Sequence, residues 1–202
     1  MGSALLLPLA PGVAPALKPP VPGGPPTLLF VGAMSRDHNV TGVLWFLDRV
    51  WPSILAELPD ARFVIVGKDP PPELRARADG AHVLVTGFVE DLAPWYSAAT
   101  AVVVPLLVAG GMLQKMLDAM AMGLPVVMSP LAARSLEKCE SARIAESADA
   151  WADTLIGLLG RPDDCMDIGR RNREFVTENC SWAASAGLLE SVYQRVLARR
   201  HK

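Results

Sequence analysis

Pro105–Pro130, PLLVAGGMLQKMLDAMAMGLPVVMSP, is the stretch whose reading decides the fold. It reads as a strand end, a two-glycine turn, an apolar helix with two charges, a Gly-Leu-Pro stop and a second buried strand. The valines on either side suit strands covered on both faces. Gly110 and Gly111 let the backbone turn sharply and approach a ligand with no Cβ in the way. The helix that follows points its unpaired N–H groups at the same spot, a natural place for a phosphate. Lys115 lies in its first turns, and Asp118 lies three residues on, along the same side. That order suits a nucleotide, diphosphate first and ribose second. A Gly-Gly turn made for packing, with Lys115 and Asp118 as a solvated ion pair, is the plainer alternative.

Outward from this stretch, short apolar strands alternate with helices. Residues 1–26 are crowded with Pro and Gly and read as a linker or wrapping segment. Residues 27–202 read as one domain. Its first strands are Thr27–Gly32, Arg62–Gly67, His82–Gly87 and Ala101–Leu106, followed by Pro125–Met128 and a short Ala142–Ala145. The spacing predicts a helix from about Val40 to Leu58, with Pro52 marking a bend or a junction between two pieces. Short helices follow at Glu73–Asp79 and Asp91–Ala99, the second capped by Asp91. Three long ones come last, at Ala148–Leu159, Asp163–Glu178 and Trp182–Arg200. The final helix carries one apolar stripe (Leu188, Leu189, Val192, Tyr193, Val196), and Trp182 is expected to pack it on the sheet. Trp45 and Trp51 are expected to be core anchors. The pattern predicts an α/β fold: a doubly wound, Rossmann-like parallel sheet of about six strands, with helices on both faces and C-terminal helices. The right-handed crossover rule gathers the strands' C-terminal ends at one edge, where open α/β sheets bind ligands.

Composition narrows the partners. Nineteen basic and twenty-one acidic residues give a net charge of −2, which argues against a nucleic-acid groove or a polybasic membrane patch. Half the residues are hydrophobic and the mean hydropathy is positive, +0.29, as for a surface that another domain or subunit covers. Cys139, Cys165 and Cys180 have no zinc or redox spacing and suit a reducing compartment. His38, His82 and His201 are too scattered for a metal cluster. No apolar run is long enough to span a bilayer. The start lacks a basic n-region and is interrupted by prolines, unlike a secretory signal.

The order of motifs resembles the C-terminal, donor-binding half of a GT-B glycosyltransferase of the family-4 type, and more narrowly the bacterial exopolysaccharide-associated sugar transferases. The matching pieces are LLFVGAMSRDHNVTGVLWFLDRVWPSI, ARFVIVG, VTGFVEDLAPWYSAATAVVVPLL, GGMLQKMLDAMAMGLPVVMSP and GRRNREFVTENCSW. The fourth, with its K-x-L-acid-A-M-A-x-G-x-P-V-V core, is the most specific. The resemblance implies transfer of a hexose, with retention, from a UDP- or GDP-sugar to a glycan or other acceptor. It implies no cofactor and no obligatory metal, and it assigns no catalytic residue to this half. It implies a nucleotide-sugar partner and an N-terminal GT-B domain, without which this chain is expected to be inactive. The full enzyme would be cytoplasmic, with the inner face of the membrane as an alternative.

Carried over residue by residue, Lys115 would contact the diphosphate, supported by the amides of Gly110, Gly111 and Met112. Arg36, after the first strand, would be a second phosphate cation, although Ala33 and Met34 stand where many members have Arg. Asp118 would hold the ribose, and the turn Gly87-Phe88-Val89 would lie along the base. Three departures stand out. Relatives carry a Glu or an Arg where this chain has Gly110, an Asn where it has Gln114, and a Glu where it has the shorter Asp118. These departures leave a second reading open, a non-catalytic nucleotide-binding or interaction module that keeps the fold. A flavodoxin-like regulatory domain is disfavoured, because no aspartates flank Gly32 and Gly67.

Overall fold

The computed structural model describes residues 24–108, 114–134, 136 and 139–200. Gly110, Gly111, Met112 and most of the Pro/Gly-rich segment lie outside the described residues. Six parallel strands form one sheet: β1 (Thr27–Val31), β2 (Arg62–Val66), β3 (Val83–Gly87), β4 (Ala101–Val104), β5 (Val126–Met128) and β6 (Arg143–Ile144). Their order is β3-β2-β1-β4-β5-β6. The chain builds outward from β1 in one direction, then restarts at β4 on its other side. The topological switch point therefore lies between β1 and β4. Those two strands pair only at Leu28–Ala101 and Leu29–Val102, although each runs on for two more residues. Their C-terminal ends part there and open a crevice.

Alternation along the strands feeds two cores, as a sheet covered on both faces requires. Leu28, Phe30, Phe63, Ile65 and Val103 face one layer, made by α1 (Asp37–Arg49), α2 (Trp51–Glu57), α3 (Pro72–Arg75) and α7 (Ala148–Leu159). Leu29, Val31, Val64, Val66 and Val104 face the other, where α4 (Ala93–Ala98), α5 (Gln114–Ala121), α6 (Pro130–Ala133) and α8 (Pro162–Asn179) lie. Within the first layer Phe46 meets Phe63 and Trp151, with ring centroids 4.9 and 5.7 Å apart. Trp51 is buried and Trp45 packs edge-on against Trp151, so both tryptophans serve the core as expected.

Local chemistry sets the element ends. The junction expected near Pro52 falls at Val50, which leaves Pro52 in the first turn of α2, where its missing N–H costs nothing. Asp91 Oδ1 accepts from the Ala93 amide at 2.9 Å just ahead of α4, but the cap position itself is Leu92, so Asp91 does not cap the helix as expected. Ser147 caps α7 by accepting from the Ala150 amide. The Gly-Leu-Pro stop of α5 is a Schellman turn: Gly123 has φ +77°, its amide reaches the Met120 carbonyl, and the Leu124 amide reaches that of Ala119. Gly169 of α8 lies directly on the Gly123 carbonyl. Beside it the buried Asn172 donates to the Leu124 carbonyl at 2.8 Å and accepts from the Ser141 hydroxyl at 2.7 Å. A glycine contact and an amide network thus fix α8 to the C-terminal end of α5.

Two more expectations need correction. The helix expected over residues 73–79 is the four-residue α3, because Asp79 instead turns its carboxylate onto the amides of Ala81, His82 and Val83. Trp182 does not pack on the sheet. It is 67% exposed at the start of α9 (Trp182–Arg200), and Leu188, Leu189, Tyr193 and Val196 are exposed as well. The apolar stripe of α9 is present, but no described residue covers it.

Candidate functional site

A cavity of about 550 Å³ occupies the crevice at the switch point. Each wall comes from a different piece of chain. The end of β1 supplies Val31 and Gly32, the turn into α1 supplies Arg36, and α1 itself His38 and Asn39. Tyr96 comes from α4, and Gln114, Lys115 and Asp118 come from α5. Three residues singled out in the sequence, Lys115, Asp118 and Arg36, are thereby brought together from stretches some eighty positions apart.

Lys115 starts on one face of the sheet and reaches over its edge to the other. Its ammonium donates to Asn39 Oδ1 at 2.7 Å and sits 4.1 Å from the Phe30 ring centroid. Cation–π contact and one neutral hydrogen bond replace part of its lost hydration. No carboxylate lies within ion-pair distance of it among the described residues. Burial without a counter-ion pushes its pKa down to about 7. Gly32 makes the approach possible, because a Cβ there would stand 3.0 Å from the ammonium and 2.9 Å from the Asn39 amide nitrogen.

Asp118 is not paired with Lys115, so the solvated-ion-pair alternative does not describe this site. Its carboxylate accepts from Gln114 Nε2 at 2.8 Å, one helical turn away. Burial raises its pKa, and the Gln114 hydrogen bond opposes that rise. The Tyr96 hydroxyl donates to the Lys115 carbonyl at 3.3 Å, and burial holds the phenol well above its ordinary pKa. Tyr96 is therefore a neutral brace under the first turn of α5.

Gly87, Phe88 and Val89 do not line this cavity. Gly87 ends the edge strand β3 with φ +76°, and its carbonyl accepts from the Gly67 amide at 3.1 Å. Phe88 is exposed, and Val89 packs against the core on the α5 side. Asn39, Tyr96 and Gln114 are cavity residues with side-chain hydrogen bonds that the motif reading did not assign. Asn39 did leave a trace: it is a polar residue four positions before Val43, on the buried stripe of α1. No group of three or more His, Cys, Asp or Glu residues able to hold a metal ion occurs among the described residues. No described helix is long and apolar enough to cross a membrane.

Comparison with known proteins agrees with this architecture. A relative from Klebsiella pneumoniae, an uncharacterized 44.6 kDa protein in the cps region, is 29% identical over 162 residues, covering 75% of this chain and 42% of its own. A Staphylococcus aureus TarM variant, solved with fondaparinux, alpha-GlcNAc-glycerol and UDP, superposes with a TM-score of 0.72 at 15% identity. That match covers 91% of this chain and 38% of TarM. The C-terminal domain of the Francisella tularensis group 1 glycosyl transferase LpcC superposes at 0.66 with 19% identity, covering 85% of this chain and 100% of that one. The chain thus spans about two fifths of the Klebsiella and TarM chains and matches the isolated LpcC domain along its whole length. The model of the glycosyl transferases group 1 family matches residues 25–161, two thirds of the sequence, and with the six-stranded Rossmann-like sheet it establishes that the chain belongs to that family, as a GT-B glycosyltransferase domain of the family-4 type.

Proposed function

We propose that the cavity between β1 and β4 holds the nucleotide diphosphate of an activated sugar, and that this chain is the donor-binding part of a two-domain glycosyltransferase. The observation that carries the reading is Lys115, a buried ammonium that faces the cavity with no described carboxylate beside it. A bound anion would supply the missing charge, and a diphosphate is the anion that this family's donors carry. Arg36 adds a second cation at the mouth. In this reading Asp118, which lines the cavity one turn behind Lys115, accepts from the ribose hydroxyls. Positive charge at the diphosphate also favours its departure, since charge develops there as the bond to the sugar breaks. The TarM structure is a complex with UDP in a fold of the same kind, which supports a nucleoside diphosphate sugar as donor, with uridine and guanosine the nucleosides to test.

The acceptor site lies on another domain in this reading. The uncovered stripe of α9 and the positive mean hydropathy support a partner surface of that kind. The Klebsiella relative's place in a cps region supports polysaccharide as the product class. Titration of the 15N-labelled chain with UDP and GDP tests the donor site. Amides near Lys115 and Asp118 shift with at least one nucleotide, and no shift with either at millimolar concentration refutes it. Sugar transfer by this chain alone would refute the two-domain part.

A further inference from the structure

We propose that Asn39 is a positioning residue for donor binding, one that holds the Lys115 ammonium at the cavity wall through a neutral hydrogen bond and so leaves its charge free for the diphosphate. The proposal rests on the reading of this cavity as a diphosphate site. Its geometry is over-determined. The Asn39 Nδ2 donates to the Ala33 carbonyl at 2.9 Å, and a carbonyl can only accept. That fixes which way the amide faces, and Oδ1 is left pointing at Lys115, 2.7 Å away. The residue is only 5% exposed although it lines the cavity, so both bonds are largely shielded from solvent. The Asn39 amide N–H is itself tied to the Arg36 carbonyl at 2.9 Å, which sets the residue at the first turn of α1.

Charge explains why an amide stands here. A carboxylate at this position would reach the ammonium equally well, but it would neutralise it and compete with the diphosphate. It would also turn its second oxygen onto the Ala33 carbonyl. An apolar residue would leave both the ammonium and that carbonyl without a partner. Among the common side chains of this size, the neutral amide satisfies both neighbours and cancels no charge. The other titratable groups facing the cavity are Arg36 and His38 from the β1–α1 side, Tyr96 from α4 and Asp118 from α5.

The test is nucleotide affinity against pH for the full chain and Asn39→Asp, by calorimetry with UDP and GDP from pH 7 to 9. In that window the terminal phosphate, with a pKa of about 6, is already ionised. Burial holds Lys115 near pH 7 in the free protein, and a bound diphosphate restores its proton. Wild-type affinity then falls roughly 50-fold across the window as the ammonium is lost. In Asn39→Asp the carboxylate keeps Lys115 protonated, so affinity at pH 7 is roughly tenfold weaker but nearly flat to pH 9. A profile parallel to wild type overturns the proposal, because a purely structural role would weaken binding without changing its pH dependence. Should Asn39→Asp fail to fold, the wild type decides alone. The Asn39 side-chain NH2 signals must move with pH in step with Lys115 and again on adding UDP, and immobility overturns the proposal. Absence of wild-type binding to either nucleotide overturns the donor reading itself, a result distinct from binding with unchanged pH profiles.

Discussion

Replacing Lys115 with Met should remove nucleotide binding yet make the free protein more stable at neutral pH. The ammonium's pKa falls from 10.5 to about 7 because the folded chain desolvates it and no carboxylate among the described residues offsets that. At about 1.4 kcal/mol per pH unit, that drop corresponds to about 4 kcal/mol of folding free energy lost near neutrality. Between about pH 7 and 10.5 the unfolded chain binds this proton and the folded chain does not, so the loss shrinks as pH rises. Methionine carries no such penalty, but it leaves Asn39 Oδ1 without its partner, which costs about 1–3 kcal/mol. The variant should therefore be more stable than wild type by about 1–3 kcal/mol at pH 6.5. At pH 9.5, where about 3 kcal/mol of the penalty has gone, it should be no more stable or slightly less. Urea unfolding followed by tryptophan fluorescence at both pH values measures the difference. If wild type and variant differ by the same amount at both, within about 0.5 kcal/mol, Lys115 is not an uncompensated buried charge and the cavity is not an anion site.

Three more changes probe the surroundings. Gly32→Ala places a methyl against Asn39 and the Lys115 ammonium, so UDP affinity should fall roughly tenfold by calorimetry with the circular dichroism spectrum retained. Gly169→Ala drives a Cβ into the Gly123 carbonyl, a contact with backbone on both sides, and should cost about 1–3 kcal/mol in urea unfolding. Asp118→Glu adds the missing methylene. It should tighten UDP more than its 2′-deoxy analogue, and equal tightening of the two would place the carboxylate away from the ribose.

Most of the sheet was readable because short apolar runs closed by glycine leave few alternatives to buried parallel strands. The end of α5 was readable for a similar reason: Gly123, Leu124 and Pro125 each meet one requirement of a helix stop. Lys115 and Asp118 could be picked out because both lie on one short helix beside a turn. Asn39 could not, since its importance comes from a residue 76 positions away that meets it only after the sheet has formed. The exposure of Trp182 was hidden for another reason. An apolar stripe shows that a helix has a face to bury, and nothing in its periodicity says whether the same domain will bury it.

The contact between Gly169 and Gly123 bears on more than stability. From Gly123 back to Lys115 is eight residues, a lever of roughly 12 Å at the rise of an α-helix. With the far end pinned by α8, a tilt of about 5° at this pivot would swing the near end by about 1 Å. That is enough to break the 2.7 Å bond between Lys115 and Asn39. Side chains around Gly169 and Asn172 touch nothing in the cavity, yet they set the angle at which the lysine enters it. Sequence changes there should retune nucleotide affinity by rotating the helix and leaving every residue of the site in place.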